Sequence, residues 1–242
     1  MKLIIDIGNT FTKLALFDSN KLIKEIKKDM ITIQKIESFI GSNEIKSSIL
    51  STVVINDISL IKFLKEKFQC LMLTENTPIP IKSLYSNIET LGKDRIAAMV
   101  GARIQFPEDD LLVFDAGTCL TVDYLDVQNI HHGGRIMPGI QMRYDSLNHF
   151  TSKLPQLYLE SEQQELIGTD TESAIHSGVQ QGVIAEISSI IQNYKKENPD
   201  IIVILTGGDC FFLEEALKNT IFVDSFLVLK GLNTILEYNE KI

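Results

Sequence analysis

Several features are scarce in this 242-residue chain, and each scarcity narrows what it can be. Its three cysteines, Cys70, Cys119 and Cys210, are scattered and form no CxxC pair. Neither a disulfide framework nor a zinc site is expected from such spacing. No apolar run approaches the roughly 20 residues that span a bilayer. The strand-like run Leu3-Ile4-Ile5 stands so near the first residue that no secretory signal is expected before it. Basic residues are outnumbered 23 to 32, for a formal charge of −9, which makes duplex nucleic acid a poor partner. Low-complexity segments are missing too. What remains is a folded chain, 44% apolar, able to bury one large core or two smaller ones. The expected compartment is the cytoplasm, with no membrane partner.

The informative presence is an internal repeat. LIIDIGNTFTKLALFD (3–18) overlays LVFDAGTCLTVDYLD (112–126) without a gap, so that Asp6 falls on Asp115, Gly8 on Gly117, Thr12 on Thr121 and Leu16 on Leu125. Each copy reads as a buried strand, a tight glycine-containing turn and a second strand. After the first copy the patterns predict a strand at 21–26, a helix near 32–41, a strand at 47–55, a helix at 58–68 and a strand at 70–74. After the second they predict a strand at 132–136, a turn at Pro138-Gly139, a helix at 171–196, a strand at 201–206, a helix at 210–218 and a strand near 221–223. A helix at 95–106 and a closing helix at 228–238 complete the reading. Both halves run β-β-β-α-β-α-β. The expectation is therefore an α/β chain of two duplicated lobes, 1–110 and 111–242, with a ligand cleft between them and the two turns facing each other. The helix at 95–106 fits either lobe.

Chemistry is concentrated in a few turns. In Asp6-Ile7-Gly8-Asn9-Thr10 the glycine permits close backbone approach to an anion, Asn9 and Thr10 add donors, and Asp6 can hold a hydrated Mg²⁺ through water. Lys13 stands within reach of phosphates. A plain β-turn explains the same residues when the motif is taken alone. The second copy, Asp115-Ala116-Gly117-Thr118, favours a pair of turns that clasp a polyphosphate. Leu205-Thr206-Gly207-Gly208-Asp209 leaves backbone open to a flat ligand, or is a strand-to-helix connection capped by Asp209. In Gly92-Lys93-Asp94-Arg95, Asp94 stands at the first turn of a helix, where the helix field favours its charged form. It can orient an attacking hydroxyl, and Arg95 offers planar donors; an ordinary helix cap beside a surface Arg is the alternative. Thr169 and Glu172 fit a capping box, leaving the Thr171 hydroxyl free. Gly178 and Gly182 share the face of Ile175 and Val179, which points to close helix packing.

The turns at 6–13, 115–118 and 205–209 resemble, in that order, the two phosphate motifs and the adenosine motif of the sugar kinase, heat-shock 70 and actin superfamily. The resemblance implies ribonuclease H-like lobes, the actin-like ATPase fold and a nucleotide cleft. Over nearly its whole length the chain also closely resembles the type III pantothenate kinases. The carriers are DIGNTFTK (6–13), Tyr85 followed by GKDR (92–95), DAGT (115–118), GGRIMPG (133–139), TDTESAIHSG (169–178) and LTGGD (205–209).

That resemblance implies transfer of the ATP γ-phosphate to pantothenate, giving 4′-phosphopantothenate, the first step of coenzyme A synthesis. It makes Asp94 the proton acceptor, and Tyr85, Gly92, Lys93, Asp94, Arg95 and Thr171 the substrate contacts. Asp6, Ile7, Gly8, Asn9, Thr10, Phe11, Thr12, Lys13 and Thr118 become ATP contacts, and Asp115 the site of a monovalent cation, K⁺ or NH₄⁺, needed together with Mg²⁺. It also implies a homodimer in which Thr171 reaches the neighbouring subunit's substrate. Two departures from the family pattern stand out: Ala116-Gly117-Thr118-Cys119 where FGTA is common, and Asp170 where Asn is more frequent. The other readings are a non-catalytic, nucleotide-sensing relative and a kinase for another hydroxylated metabolite. Retention of Asp6, Asp94, Arg95 and Asp115 favours an enzyme.

Overall fold

The computed structural model describes residues 1–52, 58–160, 165–217 and 221–242. They fall into two compact units, one of residues 1–105, 129–131 and 226–242, the other of residues 106–128 and 132–225.

The first unit opens with the strand β1 (Lys2–Ile7), which carries the apolar run Leu3-Ile4-Ile5 and is hairpin-paired with β2 (Thr12–Asp18). Then come β3 (Lys21–Lys28), α1 (Ile33–Ile40), β4 (Ser47–Thr52), α2 (Ile58–Phe68) and β5 (Cys70–Met72). The sheet order is β3-β2-β1-β4-β5, with β1 parallel to β4. Leu3, Ile4 and Ile5 are all fully buried; an uninterrupted apolar run suits a central strand covered on both faces. Leu3, Ile5, Leu14, Leu16 and Leu50 pack with Ile36 and Phe39 of α1 and Leu64 of α2. At the edge, β3 carries Lys21, Lys24, Lys27 and Lys28, charges that discourage further strand pairing. Residues 53–55 of the strand expected at 47–55 lie outside the described residues.

Beyond this sheet the first unit holds β6 (Lys82–Ser83), a 3₁₀ turn (Ile88–Thr90), α3 (Lys93–Gln105) and α7 (Leu227–Asn239). The helix that fitted either lobe packs here, against α7. Small residues permit this: a Cβ on Gly101 would overlap the Leu227 carbonyl, and one on Gly231 the Ala97 carbonyl. The chain's last helix thus joins the first unit, whereas a division at residue 110 puts it with the second half. Lys2 ties it to β1 through Glu237 at 2.8 Å.

The second unit contains β7 (Leu111–Ala116), β8 (Cys119–Leu125), β9 (Ile130–Pro138), α4 (Ile140–His149), α5 (Thr171–Glu197), β10 (Ile202–Thr206), α6 (Cys210–Leu217) and β11 (Phe222–Val223). The opening residues of β9, Ile130 and His131, belong with the first unit and pair with β6. The order β11-β10-β7-β8-β9 repeats that of the first sheet strand for strand, the duplication expected from the repeat and the ribonuclease H-like topology implied by the superfamily resemblance. Its core joins Leu112, Phe114 and Val122 to Val183, Ile187 and Ile190 of α5 and to Val203 and Leu205 of β10. Helix α4 was not expected. Residues 138–139 read as a turn, but Gly139 stands at the start of a helix whose buried Ile140 and Tyr144 share one face. Lys218, expected at the end of α6, lies outside the described residues. Among the described residues no helix is long and apolar enough to cross a membrane.

Candidate active site

In the first hairpin the β1–β2 register ends at Ile7↔Thr12, leaving residues 8–11 as the tip. The Gly8 N–H donates to the Phe11 carbonyl at 3.0 Å and closes it. That amide is spent on the turn, and Asn9, Thr10 and Phe11 form the exposed surface of the tip. Lys27 of β3 holds its ammonium 3.7 Å from the Phe11 ring centroid. Ile7 is half-buried and Thr12 buried, which makes them supports for the tip.

Asp6 is the last residue but one of this strand, 8% exposed, with Lys13 and Ser51 as its register neighbours. Burial pushes its carboxyl from 3.8 up to about 6; Lys13 opposes the rise, and the charge of Asp94 adds to it. Asp6 and Asp94, distant in sequence, therefore act on one another within the first unit.

Asp94 belongs to the opening turn of α3, and its Oδ1 accepts the Arg95 N–H at 2.8 Å. A Cβ at Gly92 would overlap that same oxygen, so Gly92 leaves room for the carboxylate. Lys93 is half-buried. Arg95 is almost fully buried, with its guanidinium carbon 5.5 Å from the centre of the Tyr85 ring. The structure thus brings Tyr85, Gly92, Asp94 and Arg95 together around one helix start. Ser83 and His131, which flank Tyr85, carried no recognisable signal in the sequence.

In the second unit, Asp115 is half-buried near the end of β7, with Thr121 and Thr206 as register neighbours. The tip comprises residues 117–119, closed by the Gly117 N–H donating to the Cys119 carbonyl at 3.0 Å, and Thr118 is exposed on it. Three motifs converge here. A Cβ on Gly139 would overlap the Gly117 and Thr118 carbonyls, one on Gly207 would overlap Ala116, and the Asp209 N–H donates to the Ala116 carbonyl at 3.0 Å.

Thr171 is the first residue of α5 and exposed. The capping box is not Thr169 with Glu172 but Asp170 with Ser173, one position later. The Ser173 N–H donates to Asp170 at 2.9 Å, and these hydrogen bonds hold the Asp170 carboxyl below its ordinary range. Thr171 lines an open pocket of about 620 Å³ with Arg143, Leu147, Leu154, Ile175 and Gly178. Arg143, supplied by the unexpected α4, donates to the Pro138 carbonyl at 3.0 Å and pairs with Glu186. The close packing expected at Gly178 and Gly182 is not present: a Cβ on either would meet no described atom within 4 Å. Their face of α5 is open. Among the described residues no group of three or more His, Cys, Asp or Glu is arranged to hold a metal ion.

A family model described as type III pantothenate kinase matches residues 2–193. The chain belongs to the type III pantothenate kinase family. Relatives bearing that name include a Bacteroides fragilis protein, 43% identical over 240 residues that cover 99% of this chain and 98% of the relative. One from Christiangramia forsetii is 40% identical over 247 residues, covering 99% of each chain. Among solved structures, this member of the type III pantothenate kinase family is similar to a Campylobacter jejuni protein described as a Baf family transcriptional activator. The TM-score is 0.64 at 24% identity, with 99% of this chain and 100% of the other covered. It is also similar to a ROK hexokinase from Thermus thermophilus, with a TM-score of 0.51 at 11% identity, covering 98% and 99%. At those identities the likeness speaks for the fold alone, and that fold is the actin-like ATPase fold.

Proposed function

We propose that this chain transfers the γ-phosphoryl group of ATP to the primary hydroxyl of pantothenate, forming 4′-phosphopantothenate at the entry to coenzyme A synthesis in the cytoplasm. One observation carries the reading: a carboxylate at a helix start, Asp94, stands next to the Tyr85–Arg95 layer and close enough to Asp6 for their charges to interact. Asp94 accepts a hydrogen bond from the substrate hydroxyl, aims it, and takes its proton late. A loose phosphoryl transfer asks for positioning more than for a strong base. Arg95 supplies planar donors for the carboxylate of pantothenate, and Tyr85, Gly92 and Lys93 wall the acceptor. Asn9, Thr10, Lys13 and Thr118 bind the phosphates of ATP. Ile7, Gly8, Phe11 and Thr12 shape the first tip.

Asp6 fits the hydrated Mg²⁺ that accompanies ATP, since its buried carboxylate is only partly compensated by Lys13. Asp115, whose register neighbours are threonines rather than a lysine, suits the monovalent cation, K⁺ or NH₄⁺. Such ions, when bound, neutralise charge that develops on the phosphates.

The active form is a homodimer in which Thr171 reaches the neighbouring subunit's substrate. Exposed Ile136, Phe150, Leu166 and Ile167, together with the open face of α5, support an apolar contact surface on the second unit.

A coupled ADP assay tests the substrate. Pantothenate, set against a panel of hydroxylated metabolites, is expected to elicit ADP release that requires K⁺ or NH₄⁺. Asp94→Asn is expected to lower kcat by about 10²–10⁴-fold while ATP still binds. No pantothenate-dependent ADP under any monovalent salt sinks the assignment. Mixing and reassociating inactive Asp94→Asn and Thr171→Val subunits is expected to restore turnover, because a mixed dimer contains one intact site; no recovery removes the shared site.

A further inference from the structure

We propose that His131 is a positioning residue for the acceptor site, holding Tyr85 through Ser83 so that Tyr85 and Arg95 keep one fixed arrangement next to Asp94. The inference rests on the functional reading above and adds a residue to it.

His131 is fully buried, and a buried imidazole needs polar partners. Its Nδ1 lies 2.8 Å from the Ser83 hydroxyl, which also accepts the Tyr85 N–H at 3.1 Å. The Ser83 hydroxyl, with one proton and two lone pairs, can serve the Tyr85 amide and the ring nitrogen at once and so bridges them. The His131 and Tyr85 rings lie nearly parallel, 10° apart in plane with centroids 6.1 Å apart. The same Tyr85 ring carries the Arg95 guanidinium. Backbone bonds fasten the strands beneath: the Lys82 N–H donates to the Asn129 carbonyl at 2.8 Å and the Leu84 N–H to the His131 carbonyl at 2.9 Å.

Tyr85 needs such an anchor. It lies between a two-residue strand and a single 3₁₀ turn, with Leu84, Ser86 and Asn87 exposed around it. A short segment with so little packing of its own does not hold a side chain in place, so the rigidity comes from its supports. An apolar residue at 131 would fill the same space, but only a polar atom can join the Ser83 hydroxyl, and through it the Tyr85 backbone.

The test separates positioning from packing. Ser83→Ala removes the link, and His131→Phe keeps an aromatic ring but loses the nitrogen. Each is expected to raise the pantothenate KM about tenfold, the worth of roughly one hydrogen bond, leaving the ATP KM within about twofold. His131→Gln, which retains a polar group, should recover part of the loss. In a Tyr85→Ala background, Ser83→Ala or His131→Phe should add less than about twofold, because the residue they act through is gone. An unchanged pantothenate KM in folded Ser83→Ala, or full additivity with Tyr85→Ala, overturns the proposal. If His131→Phe does not fold, Ser83→Ala carries the same cycle alone. An unsubstituted chain that ignores pantothenate overturns the functional reading and this inference with it; an active parent beside an indifferent Ser83→Ala overturns the inference only.

Discussion

The two hairpins begin alike and end differently. Asp6 and Asp115 occupy matching places in their first strands, but the first tip contains residues 8–11 and the second residues 117–119. After the turn the equivalence shifts by one residue. Lys13 faces Asp6, while Thr121 faces Asp115; Tyr124, not Leu125, takes the place of Leu16. The ungapped overlay is therefore correct up to the turn and displaced beyond it. Side chains alternate faces along a strand, so the buried face sets the register and the tip absorbs the extra residue. The consequence is chemical. One carboxylate is paired with a lysine neighbour, the other with threonines, and a duplicated scaffold presents two different anion environments. Their supports differ too, since Gly139, Gly207 and Asp209 crowd the second tip.

The largest expected effect tests that crowding. Gly207 has φ +98° and abuts the Ala116 backbone, so Gly207→Ala is expected to cost about 3 kcal/mol or more, from strain plus displacement. Gly8→Ala, at negative φ with its nearest neighbour the Phe11 carbonyl at 3.2 Å, should cost only about 1 kcal/mol. Denaturant unfolding of both variants makes the comparison, and equal losses would break it.

The next effect concerns Asp6. Its folded pKa is raised, from 3.8 to about 6, so stability from this group is fully present below pH 4 and lost as pH rises through 6. Above that range the cost is about 3 kcal/mol. Asp6→Asn removes the titration. It is expected to gain stability over the parent at pH 8 by up to about that amount, to gain little at pH 4, and to weaken ATP binding. Thermal melts of parent and variant at the two pH values check the sign; a gain that is the same at both would contradict a buried, titrating Asp6.

The smallest effect sharpens the register argument. Deleting Asn9 shortens the first tip to the length of the second. Because buried Leu14 and Leu16 pin the strand, stability should change by only about 1 kcal/mol, while ATP affinity falls with the lost tip. Cooperative unfolding lost altogether would mean that the tip, rather than the core face, sets the register.

Much of this was legible beforehand because the signals are local. The mainly apolar runs at 3–7 and 111–116, the glycine turns after them and the helix start at Lys93–Arg95 each lie within a few residues. Helix α4 escaped because its N-terminus has Gly139 in place of a side-chain cap and follows a proline. The open faces of Gly178 and Gly182 escaped because a glycine in a helix reads the same whether another helix lies against it or nothing does. The glycines at which two helices do meet, Gly101 and Gly231, lie more than a hundred residues apart, and no local pattern connects them.

By itself, then, the order of residues determined the repeated β-β-β-α-β-α-β pattern, into whose second copy α4 is inserted, the strands that carry Asp6 and Asp115, and the helix start that carries Asp94, since periodicity and turn chemistry act over short range. Only the tertiary structure decided that Asp94 and Asp6 share a field, that His131 lies against Tyr85, that α7 closes the first unit, and that the second tip is one residue shorter. Burial, register and through-space charge depend on which distant segments meet, and that is written in no single stretch of chain.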